Sequence, residues 1–293
     1  MPDILIWNDE YDMLPARLDC SEECRIIHDR LRIADAHAVV FHVPTLNEPI
    51  EDLPKRPGQR WVAWSMESDA NYPQLADPEF MRNFELTMTY RRDADVWVPY
   101  LDSALVGLAA PSSSPDVEIE PAIAVYIASN PASLSQRDAY VGELMRHMTV
   151  DSYGRCLNNR SWSADHGRET KLETLARYRF TLAFENSIAE DYVTEKFFDP
   201  LVAGSVPVYL GAPNIADFAP GEHCFINVTD FSGPRELAAH LLRLAEDETA
   251  YHDYLKWRTD GARPEYLAML DRLDPHPLCR LARLLTQEAD AGR

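Results

Sequence analysis

Short runs of apolar residues alternate along the chain with stretches in which apolar positions recur every three or four residues. The short runs are rich in Val, Ile, Trp and Tyr and are bounded by polar residues or proline, which is typical of buried strands. We predict strands at residues 4–7, 38–43, 61–66, 123–128, 180–184 and 206–210. We predict helices between them at residues 22–33, 134–148, 168–178, 195–202, 235–246 and 249–258.

This alternation predicts an α/β fold in which parallel sheets carry helices on both faces. Residues 109–121 are rich in proline and serine, and we interpret them as a linker between two halves. The predicted domains are residues 1–115 and 122–275, each Rossmann-like. We expect them to face a central cleft at the carboxyl ends of their strands, where ligands usually bind. Residues 276–293 are predicted to form a C-terminal helix that packs back on the first domain.

Composition and charge narrow the possible partners. The 293 residues are 46% hydrophobic, so the chain can bury a core, and its net charge of −20 argues against nucleic acid as a partner. The sequence contains no run of about 18 apolar residues, so we predict no integral membrane segment. The N-terminus lacks the pattern of a signal peptide. The five cysteines are scattered without a CxxC pair, which favours free thiols in a reducing compartment.

The densest cluster of candidate chemistry lies in residues 178–213, which read as strand, polar loop, helix, glycine and second strand. Glu185 and Asn186 follow the first strand, and Thr194 is a plausible helix N-cap that places Glu195 and Lys196 in the first turn. A lysine there opposes the helix dipole unless an anion is bound at the same place. The alternative is a lysine that extends into solvent.

This segment resembles the donor-binding motif of the family 10 α-1,3/1,4-fucosyltransferases. The matching pieces are Phe-Glu-Asn at 184–186, Tyr-Val-Thr-Glu-Lys at 192–196 and Gly-Ser-Val-Pro-Val at 204–208. Further similar pieces are Trp-Ser-Met-Glu-Ser at 64–68, Thr-Tyr-Arg at 89–91, Asp-Ser-Tyr-Gly-Arg-Cys-Leu at 151–157 and Phe-Ile-Asn-Val-Thr-Asp-Phe at 225–231. The resemblance therefore runs in order over about residues 60 to 231.

The resemblance implies a GT-B architecture, with the acceptor on the N-terminal domain and GDP-fucose on the C-terminal domain. It implies inverting transfer of L-fucose from GDP-β-L-fucose to a glycan hydroxyl, O3 of N-acetylglucosamine in a lactosamine-type acceptor, without a metal cofactor. Glu67 matches the general base that takes the proton of the acceptor hydroxyl. The family usually has proline two residues later, where this chain has Asp69, so the loop around Glu67 departs from the pattern.

The donor side chains follow from the same resemblance. Arg137 and Lys196 match the cations at the diphosphate, and Glu195 matches the residue that holds ribose hydroxyls. Asn186 and Tyr192 match residues around the donor phosphates and fucose. Two fixed cations would then stabilise the charge that GDP gains as it leaves.

Two other functions stay open at this stage. Asp93 and Asp95 form a DxD triplet, which in metal-dependent transferases holds a divalent ion against the diphosphate. An inactive glycan-binding scaffold is the other alternative. Exposed tryptophans such as Trp61 or Trp162 would stack on sugars in an active enzyme and in such a scaffold alike. We expect a cytoplasmic bacterial protein, either free or held at a membrane by a partner, or an excised catalytic domain. The oligomeric state is left open.

Overall fold

The structure, a computed structural model, describes residues 1–8, 24–101 and 118–291. It divides into two compact units, Met1–Pro99 with Asp271–Arg293, and Tyr100–Leu270. Most of the predicted linker, residues 109–117, lies outside the described residues. Within the described part, no helix is long and apolar enough to cross a membrane.

The described strands are β1 Asp3–Asn8, β2 Arg25–Ile27, β3 Ala38–His42, β4 Arg60–Ser65, β5 Leu86–Thr89, β6 Val96–Trp97, β7 Ala124–Ala128, β8 Val150–Gly154, β9 Phe180–Phe184, β10 Val206–Leu210 and β11 Ile226–Asn227. The described α-helices are α1 Pro78–Met81, α2 Arg137–Leu144, α3 Arg168–Leu175, α4 Glu195–Ala203, α5 Pro234–Glu246, α6 Glu248–Asp253, α7 Trp257–Asp260, α8 Pro264–Asp271 and α9 Pro277–Ala291. Every paired strand is parallel to its neighbour, which confirms the predicted α/β class.

The sheet of the first unit has the order β2-β1-β3-β4-β5-β6. Its core includes Ile4, Val40 and Val62, which are fully buried. Helix α9 belongs to this unit, because its apolar face, with Leu281 completely buried, joins the same core. Arg60 of β4 also forms an ion pair with Glu288 of α9 at 2.9 Å.

The sheet of the second unit has the order β11-β10-β9-β7-β8. All five residues of β9 are buried, as expected for a central parallel strand covered by helices on both faces. The chain leaves β7 for β8 on one side and then returns to β9 on the other side. The carboxyl ends of β7 and β9 therefore form the topological switch point at which α/β sheets bind ligands.

The helix predicted at residues 22–33 is wrong in its described part. Arg25–Ile27 is strand β2, which pairs in parallel with β1, and Arg30–Arg32 forms a single 3-10 turn. Arg25 donates two hydrogen bonds to the carboxylate of Asp3, and Ile27 is buried against the core of the sheet. These contacts with β1 outweigh the helical pattern of the local sequence.

The prediction of five free thiols is wrong for Cys279, which is disulfide-bonded. Cys156 and Cys224 are free and buried.

Candidate functional site

In the second unit, the loop that follows β7 is tied to the end of β9. The Ser135 hydroxyl donates to the Glu185 carbonyl at 2.5 Å, and the Ser133 hydroxyl donates to the Asn186 carbonyl at 2.9 Å. The backbone N–H of Ser135 donates to the same Asn186 carbonyl at 3.1 Å. These bonds fix both sides of the switch point, so the side chains that follow β7 and β9 have defined positions.

Arg137 opens helix α2 at this place and is only 2% exposed. Its guanidinium donates to the carbonyl oxygens of Phe184 at 3.1 Å and Asn130 at 3.0 Å. Its Nε is buried and has no hydrogen-bond partner in the described structure, and the Asp138 carboxylate lies 3.9 Å from it. The guanidinium thus donates to neutral carbonyl oxygens and has no carboxylate of the described residues within hydrogen-bond distance, so its positive charge favours an anion nearby.

Helix α4 begins beside it, and Thr194 is the N-cap, as predicted: its Oγ1 accepts the Lys196 backbone N–H at 3.3 Å. The Lys196 ammonium folds back over this cap, 3.1 Å from Thr194 Oγ1 and 3.0 Å from Glu195 Oε1. Its side chain is only 22% exposed, so the alternative of a lysine extended into solvent is wrong. The Lys196 ammonium therefore lies beside the backbone N–H groups at the N-terminus of α4.

Two carboxylates accompany the ammonium. Glu185 is fully buried, accepts both the N–H of Thr194 at 2.8 Å and its hydroxyl at 2.7 Å, and lies 3.7 Å from Lys196 Nζ. Burial raises the pKa of Glu185 to about 7 although the charge of Lys196 lowers it. Burial also raises the pKa of Glu195, but Lys196 and Lys171 lower it more, to about 2.

The same group of charges determines the state of Lys196. Burial lowers the pKa of its ammonium, but the two neighbouring carboxylates raise it more, so the net shift is upward. Lys196 is therefore charged at neutral pH. The charge of Arg137 lowers the pKa of Lys196, because the two cations lie close enough to repel each other.

Asn186 and Tyr192, the other two predicted donor residues, border this cluster. Asn186 is half-buried, and its side-chain oxygen accepts the Ser187 hydroxyl at 3.4 Å. Tyr192 is buried, and its backbone carbonyl accepts the hydroxyl of Tyr209 at 3.3 Å. The structure thus places all five predicted donor residues in the second unit, on the segments that follow β7 and β9.

Sequence reasoning gave no role to Glu185 or to Asp191, which lies in the turn just before Tyr192. Asp191 has a φ of 63° and exchanges two hydrogen bonds with Asn214, which hold this turn in place. The available signal for Glu185 was an acid directly after a strand that is apolar except for Thr181, nine residues before the N-cap of the next helix. That spacing does not reveal that the two side chains meet.

Glu67, the predicted base, lies in the first unit just after β4. Its backbone N–H donates to Ser65 Oγ at 3.0 Å, and its side-chain Oε2 accepts from Asn71 Nδ2 at 3.3 Å. It lines a cavity of about 320 Å³ together with apolar Leu75 and Met81 and a set of polar residues, namely Asp69, Thr87, Thr89, Tyr90, Arg91 and Asp93. A cavity lined by both apolar side chains and several hydroxyl and charged groups suits a polyhydroxylated ligand.

The DxD triplet is engaged in other contacts. Arg91 donates to both carboxylate oxygens of Asp93, at 3.0 and 2.9 Å, and this pairing lowers the pKa of Asp93. Asp95 accepts the backbone N–H of Thr87 at 2.8 Å and its hydroxyl at 2.9 Å. The described residues contain no group of three or more His, Cys, Asp or Glu side chains placed to hold a metal ion.

The tryptophans expected to be exposed have other surroundings. Trp61 is 3% exposed and packs against Phe41 in the core of the first unit, so its predicted role as a sugar platform is wrong. Trp162 stacks on Tyr153 with ring centroids 4.9 Å apart and donates to Thr174 Oγ1 at 2.8 Å.

Both the N-terminal and the C-terminal part of the chain match models of one protein family. Residues 119–292 match the model of the C-terminal part of glycosyltransferase family 10 (fucosyltransferase), and residues 1–101 match the fucosyltransferase N-terminal model. The chain is 36% identical over 237 residues to rat GDP-fucose protein O-fucosyltransferase 3, covering 76% of this chain and 49% of that protein. It is 32% identical over 260 residues to α-(1,3)-fucosyltransferase B of Drosophila melanogaster, covering 82% of this chain and 58% of that protein.

The fold has a counterpart among solved structures. A crystal structure of an α1,3-fucosyltransferase with GDP-fucose superposes with a TM-score of 0.63 at 19% identity, covering 94% of this chain and 91% of that one. The chain spans about half the length of the rat relative, whereas it matches nearly all of this crystallised chain.

Proposed function

Because the chain belongs to glycosyltransferase family 10, the fucosyltransferases, we propose that it transfers L-fucose from GDP-β-L-fucose to an acceptor hydroxyl with inversion. The observation that carries the proposal is the pair of cations, Arg137 and Lys196, held at the switch point of the second sheet. A nucleotide sugar presents a diphosphate with two negative charges. The two cations and the N–H groups at the start of α4 can balance these charges.

The donor side chains then take distinct roles. Arg137 supplies a fixed positive charge at the end of β9, and Lys196 supplies a second charge at the start of α4. Glu195 is ionised and 41% exposed, so its carboxylate can accept hydrogen bonds from the ribose hydroxyls. Asn186 and Tyr192 lie around the donor phosphates and fucose. As the bond to fucose breaks, both cations stabilise the charge that gathers on GDP.

Glu67 is the general base of the proposed reaction. Inversion is a single displacement, so one base must take the acceptor proton as the oxygen attacks the anomeric carbon. Glu67 lines a cavity, and the hydrogen bonds of Ser65 and Asn71 hold it in place. Asp69, in place of the usual proline, lines the same cavity without contributing to this step.

For the acceptor, we propose O3 of N-acetylglucosamine in a lactosamine-type glycan. The cavity around Glu67 supports a polyhydroxylated acceptor, and the names of the Drosophila relative and of the crystallised enzyme support the α1,3 linkage. A second candidate is a hydroxyl group on a protein, because the rat relative named GDP-fucose protein O-fucosyltransferase 3 is 36% identical to this chain over 237 residues. The two acceptors require the same donor site and the same base.

The test measures GDP release from GDP-fucose with N-acetyllactosamine, with a hydroxyl-bearing peptide substrate or with neither, in the presence of EDTA. We expect acceptor-dependent turnover, and a loss of 10²- to 10⁴-fold in kcat for Glu67→Gln with GDP-fucose affinity retained. Asp69→Asn is the matched control, since it removes a neighbouring carboxylate of the same cavity, and we expect less than a tenfold change.

Each part of the proposal can fail separately. Turnover with the peptide and not with the glycan would select the second acceptor. Full activity of Glu67→Gln would exclude this base. If the wild-type protein does not bind GDP-fucose, the proposed function itself is excluded.

A further inference from the structure

Glu185 lies in the proposed donor site and is fully buried. The proposed reaction assigns no role to its carboxyl group. Its two carboxylate oxygens accept the backbone N–H and the hydroxyl of Thr194, at 2.8 and 2.7 Å. Its own backbone N–H donates to the Leu210 carbonyl at 2.8 Å, and its carbonyl accepts the Ser135 hydroxyl at 2.5 Å. Thr194 therefore holds the side chain, and Leu210 and Ser135 hold the backbone of the same residue.

The space around this carboxyl is closed as well. Gly211 lies against it so tightly that a Cβ at that position would be 2.5 Å from Glu185 Cγ and 2.4 Å from the hydroxyl of Tyr209. Glu185 thus cannot move away from Lys196, whose ammonium lies 3.7 Å from its Oε2. The ammonium is shared between two carboxylates and Thr194 Oγ1.

We propose that Glu185 is a positioning residue that holds Thr194 and Lys196 at the start of α4, and that it takes up a proton from solvent when the donor diphosphate reaches Lys196. This inference rests on the donor site of the proposed function. The step is a simple protonation, in which the carboxylate of Glu185 gains one proton from water and becomes a neutral carboxyl group.

The charged and titratable groups around Glu185 explain why it is the group that changes its protonation state. Lys196 and Glu195 face it from α4, and Tyr209 faces it from β10. Burial raises the pKa of Tyr209 far above neutral, so this phenol stays protonated. Glu195, with a pKa of about 2, stays ionised, and Lys196 stays charged.

Only Glu185 of this group has a pKa near neutral, about 7, because it is buried. The diphosphate adds negative charge beside the one ammonium that already serves two carboxylates. An additional nearby anion disfavours the charged form of a buried carboxyl, so the complex binds more protons than the free protein. Affinity for GDP-fucose therefore falls as the pH rises above about 7, by up to tenfold per pH unit.

The experiment is calorimetric titration with GDP-fucose at several pH values between 6 and 9, in buffers with different ionisation enthalpies. GDP-fucose is chosen over GDP because a terminal phosphate itself titrates near pH 6 and would take up or release protons on its own. The variants are Glu185→Gln, which cannot titrate, and Glu185→Asp, which keeps a carboxyl group. Asp199→Asn is the matched control, a buried carboxylate of the same helix that pairs with Arg168 and Lys171 instead.

We expect the wild-type protein, Glu185→Asp and Asp199→Asn to take up protons on binding and to lose affinity at high pH. We expect Glu185→Gln to bind with no proton uptake and with an affinity that is flat over this range. Proton uptake that persists in Glu185→Gln would overturn the inference, and so would binding by the wild-type protein without uptake. Absence of any binding by the wild-type protein would overturn the donor site as well. If Glu185→Gln does not fold, Glu185→Asp decides the question: a shift in the pH at which affinity falls, relative to the wild-type protein and Asp199→Asn, supports the inference, and an unchanged pH profile overturns it.

Discussion

At the residue scale, Gly211 determines how closely β10 can approach the buried carboxyl of Glu185. A methyl group there would overlap both Glu185 and the Tyr209 hydroxyl, and neither can move because both are buried. We expect Gly211→Ala to lower the free energy of unfolding by about 1–3 kcal/mol, as overpacking of a filled core does. Urea unfolding at pH 7 measures the change.

Gly142 is the matched control for this substitution. It lies inside helix α2, and a Cβ there would be 3.9 Å from Leu157 Cδ2, an ordinary contact. Alanine in a helix interior is more favourable than glycine by about 0.5–1 kcal/mol, so Gly142→Ala should raise the free energy of unfolding. If the free energy of unfolding changed in the same direction in both variants, the steric explanation for Gly211 would be contradicted.

At the scale of a single element, helix α4 depends on its N-cap. Thr194 accepts the Lys196 N–H and donates its hydroxyl to Glu185, so Thr194→Ala removes a cap and one hydrogen-bond partner of a buried carboxyl. We expect a loss of about 1–2 kcal/mol in the free energy of unfolding. Thr194→Ser keeps the hydroxyl and should lose less than half as much, and equal losses in both variants would show that the methyl group, not the hydroxyl, is responsible.

Elements differ in how well the sequence predicts them. All six predicted strands are confirmed to within about a residue or two at their ends, because strands buried on both faces read as mainly apolar runs. Strand β8, Val150–Gly154, was missed, since it pairs only with β7 and carries polar residues. Strands β6 and β11 have two residues each, too few for any periodic pattern.

The sequence predicts some parts of the candidate site and not others. Motif resemblance and helix-capping rules together indicated Thr194, Glu195 and Lys196 as one helix start, because these residues are neighbours in sequence. The burial of Arg137 and its bonds to carbonyl oxygens of Phe184 and Asn130 depend on tertiary structure, which no local pattern encodes. The contact of Glu185 with Thr194 is of the same kind.

At the scale of the whole molecule, the first unit is closed by the far end of the chain. Leu281 of α9 is fully buried in the same core as Ile4 and Val62, although more than 200 residues separate them in sequence. Removing its side chain leaves a cavity, so Leu281→Ala should cost about 2–5 kcal/mol of stability in that unit. The five proposed donor residues all belong to the other unit, Tyr100–Leu270. We therefore expect GDP-fucose affinity to be retained in this variant while the first unit unfolds at lower urea.

Two signals follow these units separately. Trp7, Trp61, Trp64 and Trp97 lie in the first unit, so tryptophan fluorescence reports mainly on its unfolding, while calorimetric binding of GDP-fucose reports on the second. Leu241→Ala is the matched variant, because Leu241 of α5 is equally buried in the core of the second unit. It should lose GDP-fucose binding at lower urea than Leu281→Ala does. If both variants lose binding and fluorescence at one common urea concentration, the two units unfold as a single cooperative body, and the donor site depends on the packing of α9.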